Sequence, residues 1–187
     1  PEYRQRGLAR QALKLVFDQA TARGKNSLLI RTYDRVPAGI LFLERMGGKR
    51  GLETHTNQLN LAELDRQMLA EWLSLGTGLA ERFELGWWGA SYPESDIEAI
   101  VALWDIENDA PRDNLVIERE IITVDQIREW EQFNQARGNQ RWSLYVKDRA
   151  SGRYAGITEM FYQPNRLHIL NQGFTGVHPD FRGQGLG

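Results

Sequence analysis

Two short segments near the ends of the chain carry the same order of residue types. Pro1-Glu-Tyr-Arg4-Gln5-Arg6-Gly7-Leu8-Ala9 and Pro179-Asp-Phe-Arg182-Gly183-Gln184-Gly185-Leu186-Gly187 match in kind at proline, acid, aromatic, arginine, glycine, leucine and a small residue. Self-similarity at about one domain's separation reads as a repeat. The chemistry it suits is anion binding. A strand ending at Val177 runs into a glycine turn, and in the first copy a helix opens within the motif. A helix N-terminus presents unpaired backbone N–H groups and a partial positive charge, which suits a pyrophosphate. The glycines remove side chains so that phosphate oxygens can reach the backbone. Arg4, Arg6, Arg10 and Arg182 add charge nearby. A single such turn with solvated arginines is an ordinary surface feature; two in one context point to a ligand.

The second candidate is a carboxylate. Glu159 stands mid-strand in Gly156-Ile-Thr-Glu159-Met, between Ile157 and Phe161. A charged group in a central strand is costly unless paired or functional, so Glu159 is the candidate general base. Strand faces alternate, and the competing expectation is that it faces solvent. Asn108, Asp109 and His178 are weaker candidates: the first two read first as a helix-terminating turn, and a turn histidine as plain surface. Trp87, Trp88, Trp104, Trp130 and Trp142 would serve as an aromatic pocket or, at strand and helix spacing, as core.

The elements that must position these groups alternate helix and strand. A helical stripe of Leu8, Ala12, Val16 and Ala20 closes at Gly24. Ser27–Tyr33 reads as a short buried strand, about Val36 to Met46 as a helix ended by Gly47-Gly48, and Arg50–Leu61 as one or two strands. Ala62–Trp72 is expected helical, and Ser74–Glu81, with Gly76-Thr-Gly78, is the candidate linker. Then come a strand over Phe83–Trp88, a helix over about Ser95–Ile106, and a helix opened by the capping box Thr123-Val-Asp-Gln126 and ended by Gly138. Strands are expected around Trp142–Val146, over Tyr154–Tyr162 and over Leu167–Val177. The order is that of an α/β protein with a mixed sheet.

Composition narrows the classes. The 187 residues carry a formal net charge of -2, without the basic excess of a nucleic-acid binder. The absence of cysteine excludes disulfides, thiol nucleophiles and thiolate zinc sites, and three scattered histidines make a His-based metal site unexpected. No apolar run approaches the roughly 20 residues of a membrane helix, and the N-terminus lacks a signal-peptide core. A cytoplasmic protein is expected. The chain begins at Pro1 and stops at Gly187 inside a motif, so a piece of a longer protein is expected.

Arg-x-x-Gly-x-Ala/Gly, preceded by Val177-x-Pro179-acid, resembles the acetyl-CoA motif of the GNAT superfamily of N-acetyltransferases. The resemblance covers nearly the whole chain. Residues 1–73 resemble the C-terminal half of one GNAT domain plus a linker helix, and residues 83–187 the N-terminal half of the next. Asn108-Asp-Ala-Pro111 and Gly156-Ile-Thr-Glu159 resemble tandem GNAT proteins that include mycothiol-synthase-like enzymes. The two halves together supply one set of elements in circularly permuted order.

The resemblance implies acetyl-CoA as co-substrate and a small-molecule amine as acceptor, with no nucleic acid and no membrane. It implies that Arg4, Gln5, Arg6, Gly7, Leu8, Ala9, Val177, Arg182, Gly183, Gln184, Gly185, Leu186 and Gly187 hold the pyrophosphate. It also implies a backbone N–H of the fourth strand as oxyanion donor and a tyrosine after the fifth strand as acid. Here that tyrosine position holds Phe42 or Leu43, neither of which donates a proton, and Tyr33 is the nearest phenol. The counterpart in the second domain is expected beyond Gly187. Three readings stay open: an acetyl-CoA-dependent N-acetyltransferase, a catalytically inactive acyl-CoA-binding module of that fold, and a nucleotide-phosphate module of another fold.

Overall fold

The computed structural model describes residues 5–186. It divides into two compact units, Pro1–Arg50 and Gly51–Gly187. The described part of the first unit holds two helices, α1 (Leu8–Ala22) and α2 (Pro37–Arg45). α1 opens at Gly7, with no side-chain cap and no acidic residue in its first turn, and buries Leu13. α2 has proline in its first turn, where the missing N–H costs nothing.

The strands expected over 27–33 and 50–61 do not form. A strand exists only where a neighbour accepts and donates along its whole edge, and apolar composition does not supply that neighbour. Leu29 and Ile30 remain exposed. Thr32 instead lies against α2, where its Oγ1 occupies the space that a Cβ on Gly39 would need.

In the second unit α3 (Arg66–Leu75) starts later than the expected helix and runs into the expected linker. Asp65 accepts from the N–H groups of Gln67 and Met68, which sets that start. Four strands follow: β1 (Phe83–Trp88), β2 (Gln140–Asp148), β3 (Tyr154–Tyr162) and β4 (Leu170–Val177). They form one antiparallel sheet in chain order. Between β1 and β2 lie α4 (Ile97–Trp104), extended by a 3-10 turn over Asp105–Asp109, and α5 (Val124–Ala136). The capping box of α5 forms in both directions: Gln126 N–H donates to Thr123 Oγ1 at 3.2 Å and Thr123 N–H to Gln126 Oε1 at 2.9 Å.

α4 packs on β3 and α5 on β2. The main core lies under them, around Trp88, Ile100, Leu103, Ile127 and Ile157. Tyr145 crosses Gly86 on the neighbouring strand, leaving no room there for a Cβ, and its ring centroid lies 4.2 Å from that of Trp88. A smaller core joins Phe83, Ala155 and Phe181.

The orientation of β2 departs from the hydrophobic pattern. Arg141 and Ser143 are buried, whereas Trp142 and Leu144 face outward beside the exposed Leu85 and Trp87. The expectation of tryptophans as core therefore holds for Trp88 and Trp104, not for Trp87, nor for Trp142 and Trp130, each more than a third exposed. The polar stripe turns inward because the elements above it supply partners. No helix among the described residues is long and apolar enough to cross a membrane.

Candidate functional site

Register places Glu159 on the covered face of the sheet. It pairs with Ser143 across β2–β3, so both side chains point toward the helices. Glu159 is 1% exposed. Tyr92, in the loop after β1, donates its phenol to Glu159 Oε1 at 2.8 Å, and Ser143 donates its hydroxyl to the same oxygen at 3.1 Å. Arg141 Nε lies 3.8 Å from it. A second buried carboxylate, Glu131 on α5, completes the cluster. It accepts from the Tyr92 backbone N–H at 2.7 Å, from Arg128 at 2.8 Å and from Arg141 at 3.0 Å. The Arg141 guanidinium carbon is 3.8 Å from the centroid of the Tyr92 ring.

Burial pushes the Glu159 carboxyl above the ordinary carboxylate range, while the Tyr92 hydrogen bond, the Arg141 charge and the Ser143 hydrogen bond oppose it. Burial, and then the neighbouring Glu159 charge, raise the Tyr92 phenol well beyond its usual range, so Tyr92 keeps its proton and acts as a donor. A carboxylate raised toward neutrality inside a hydrogen-bonded frame suits proton transfer.

The strand beside Glu159 is irregular. Thr158 pairs with Thr175 and Met160 with Gln172, so Gly173 and Phe174 together stand opposite the single residue Glu159. That is a β-bulge, which takes backbone groups out of the ladder and re-aims the strand. Its glycine is required by contact: a Cβ on Gly173 would lie 2.5 Å from the Phe161 ring. The bulge and Glu159 line a cleft of about 560 Å³, shared with Trp104, Trp130, Glu107 and Glu120.

The loop after β4 turns on two left-handed glycines. Gly183 (φ 72°) and Gly185 (φ 76°) are left-handed on either side of Gln184, and no atom stands within 4 Å of a Cβ built on Gly183. Left-handed residues of this kind turn successive N–H groups toward one concave side. The first copy repeats the turn. Gln5 (φ 63°) and Gly7 (φ 75°) occupy the matching positions, and α1 opens directly behind them. Gln5 holds a conformation that L-residues enter at a cost. Arg6, Leu8 and Ala9 are exposed around that opening. Arg4 and Gly187 lie outside the described residues.

The remaining motif residues have structural partners. Arg182 donates to the Val177 carbonyl and to Asp109, both at 3.0 Å, so it pins the loop to the turn after α4. Gln184 donates to the Asp180 carbonyl at 3.3 Å. Val177 and Leu186 pack against the smaller core. His178 caps the turn by accepting from Asp180 N–H at 3.2 Å, and Asn108 clamps the backbone of Glu120 through both ends of its amide. Tyr33 is exposed and lies in the other unit. Among the described residues, no group of three His, Asp or Glu side chains is placed to hold a metal ion.

Tyr92, Ser143, Arg141 and Glu131 escape sequence reasoning. The one local signal is the alternation of Arg141 and Ser143 with apolar residues, which marks a two-faced strand without saying which face is covered.

No protein-family model and no curated protein matches this sequence. A solved structure described as a tandem GNAT protein from the clavulanic acid biosynthesis pathway, without AcCoA, matches all of this chain with a TM-score of 0.62 at 22% identity. The chain spans 55% of that protein's length. The fold is therefore GNAT-like.

Proposed function

We propose that this chain belongs to an N-acetyltransferase that moves an acetyl group from acetyl-CoA to the amine of a small molecule. The observation that carries the reading is the bulge of β4 facing buried Glu159 in one cleft. Under this reading, residues 1–73 and 83–187 are half-domains of a tandem, mycothiol-synthase-like protein of the cytoplasm; the tandem arrangement is the one named for the solved neighbour.

Acetyl-CoA, when bound, supplies a thioester carbonyl activated toward amines. The Gly183–Gly185 turn fits its pyrophosphate, because left-handed glycines leave the backbone open on one side. Gln5, Gly7 and the uncapped first turn of α1 form a second cradle of that kind. Glu159 takes the proton that an ammonium must lose before its nitrogen has a lone pair to attack with. Its three neighbours converge on Oε1, so Oε2 is the oxygen assigned to that proton. Tyr92 and Ser143 hold the carboxylate. The backbone N–H groups at Gly173–Phe174 are the assigned oxyanion donors.

The test is a turnover screen with acetyl-CoA and a panel of amines. Turnover that Glu159→Gln abolishes supports the reading; tight acetyl-CoA binding without turnover on any amine sinks it. One feature favours the alternative, a catalytically inactive acyl-CoA-binding module: Phe42 or Leu43 stands where the resemblance calls for a proton-donating tyrosine. That alternative predicts the binding without the turnover.

A further inference from the structure

The walls of the Glu159 cleft specify more than a generic amine. One wall is aromatic. Trp104 stacks on Phe174 with centroids 5.2 Å apart and an interplanar angle of 27°, and lies 5.8 Å from Trp130. The other polar lining is dominated by carboxylates: Glu107, Glu120 and Glu159 against one cation, Arg141, which is already shared with Glu131. Neither the Glu107 nor the Glu120 carboxylate has a hydrogen bond or ion pair among the described residues, although Arg112 and Arg119 stand near in sequence. Arg112 is turned to Asn108 and the Ile117 carbonyl, and Arg119 to Asp105. Glu107 and Glu120 are both exposed at the rim, and the partial burial of the Glu107 carboxyl together with the Glu120 charge raises it. A cation placed between two neighbouring carboxylates offsets their mutual repulsion. Trp104 is nine-tenths buried and lines the cleft, and its indole N–H has no hydrogen-bond partner among the described residues.

Flat electron-rich rings and uncompensated carboxylates have one ligand chemistry in common. A cation over an aromatic face is attracted by the ring quadrupole, and a flat apolar body stacks on the same surface. We propose that the cleft selects an acceptor in which a primary ammonium is carried on a flat ring, an arylalkylamine in class, and rejects acceptors bearing a carboxylate. This rests on the reading of the cleft as the acceptor site. The ammonium pairs with Glu107 and Glu120 on entry, the ring lies against Trp104 and Trp130, and the nitrogen is then delivered to Glu159.

The experiment is equilibrium binding to the intact protein without any acyl donor, read by tryptophan fluorescence and calorimetry. The probes are phenethylammonium, phenethyl alcohol, 3-phenylpropionate and n-butylammonium. Phenethylammonium is expected to bind at least about tenfold more tightly than each of the other three, and to lose affinity as salt is added. The pair of substitutions Glu107→Gln and Glu120→Gln is expected to erase the preference over the alcohol, and Trp130→Ala, at a partly exposed position, the preference over n-butylammonium. Equal or tighter binding of 3-phenylpropionate overturns the proposal, as does a preference unchanged in the double variant. The two readings fail separately. Selective ammonium binding with no acetyl transfer counts against the reaction alone; Glu159-dependent transfer to other amines, without arylalkylamine binding, counts against the acceptor class alone.

Discussion

The phenol of Tyr92 donates a 2.8 Å hydrogen bond to Oε1 of Glu159, and both residues are buried. This bond ties the loop after β1 to the centre of β3 and lowers the proton affinity that burial has given the carboxylate. Tyr92→Phe removes it without changing the shape of the ring. The Glu159 carboxyl then rises further, so the acid side of the pH–activity profile moves to higher pH. Losing a hydrogen bond to a charged group should cost about 1.5–3 kcal/mol of stability, read from urea midpoints. A profile that stays in place while stability falls would show Tyr92 to be structural only.

Glu159→Gln should lower turnover by roughly 10²- to 10⁴-fold with acetyl-CoA binding retained. Its effect on stability depends on pH with a defined sign. Burial raises the folded-state pKa of Glu159 above its unfolded value. The stability this contributes is present below the unfolded pKa and is lost as pH rises through the folded one, whereas glutamine does not titrate. The melting temperature of the parent relative to the variant should therefore fall as pH rises through and above the carboxylate range. A rise would contradict the burial argument.

Glu131 receives Arg141, Arg128 and the Tyr92 backbone at once. Glu131→Ala leaves the buried Arg141 with Glu159 as its remaining carboxylate, 3.8 Å away. Breaking a buried pair on one side costs about 3–5 kcal/mol. Chemical denaturation should show a loss of that size, and Glu131→Gln, which can still accept hydrogen bonds, should recover part of it.

Gly183→Ala places a methyl group on a left-handed residue with open space around it. The cost is backbone strain, about 1–2 kcal/mol, and the methyl stands on the cradle. Calorimetry should show coenzyme A binding weakened by about tenfold or more. Lower stability with unchanged binding would make the turn a plain connection. At the matching position of the first copy, Gln5 already holds φ 63°, so Gln5→Gly should be neutral or stabilising in thermal melts.

Local chemistry was legible in the sequence. The capping box of α5, the glycine end of α1, the four strands from Phe83 to Val177 and the left-handed turn at Gly183 and Gly185 all follow from residues within a few positions of each other. Glu159 was legible as an oddity, a charge among apolar neighbours. Three things were decided only by tertiary structure. Period-two alternation in β2 shows that the faces differ, but Arg141 and Ser143 turn inward because Glu131, Tyr92 and Glu159 wait there as partners. The bulge opposite Glu159 is a property of a strand pair, since neither β3 nor β4 alone has a register to break. Residues 27–33 have the composition of a strand and form none, because a strand's hydrogen bonds belong to its neighbour and no amount of local propensity provides one.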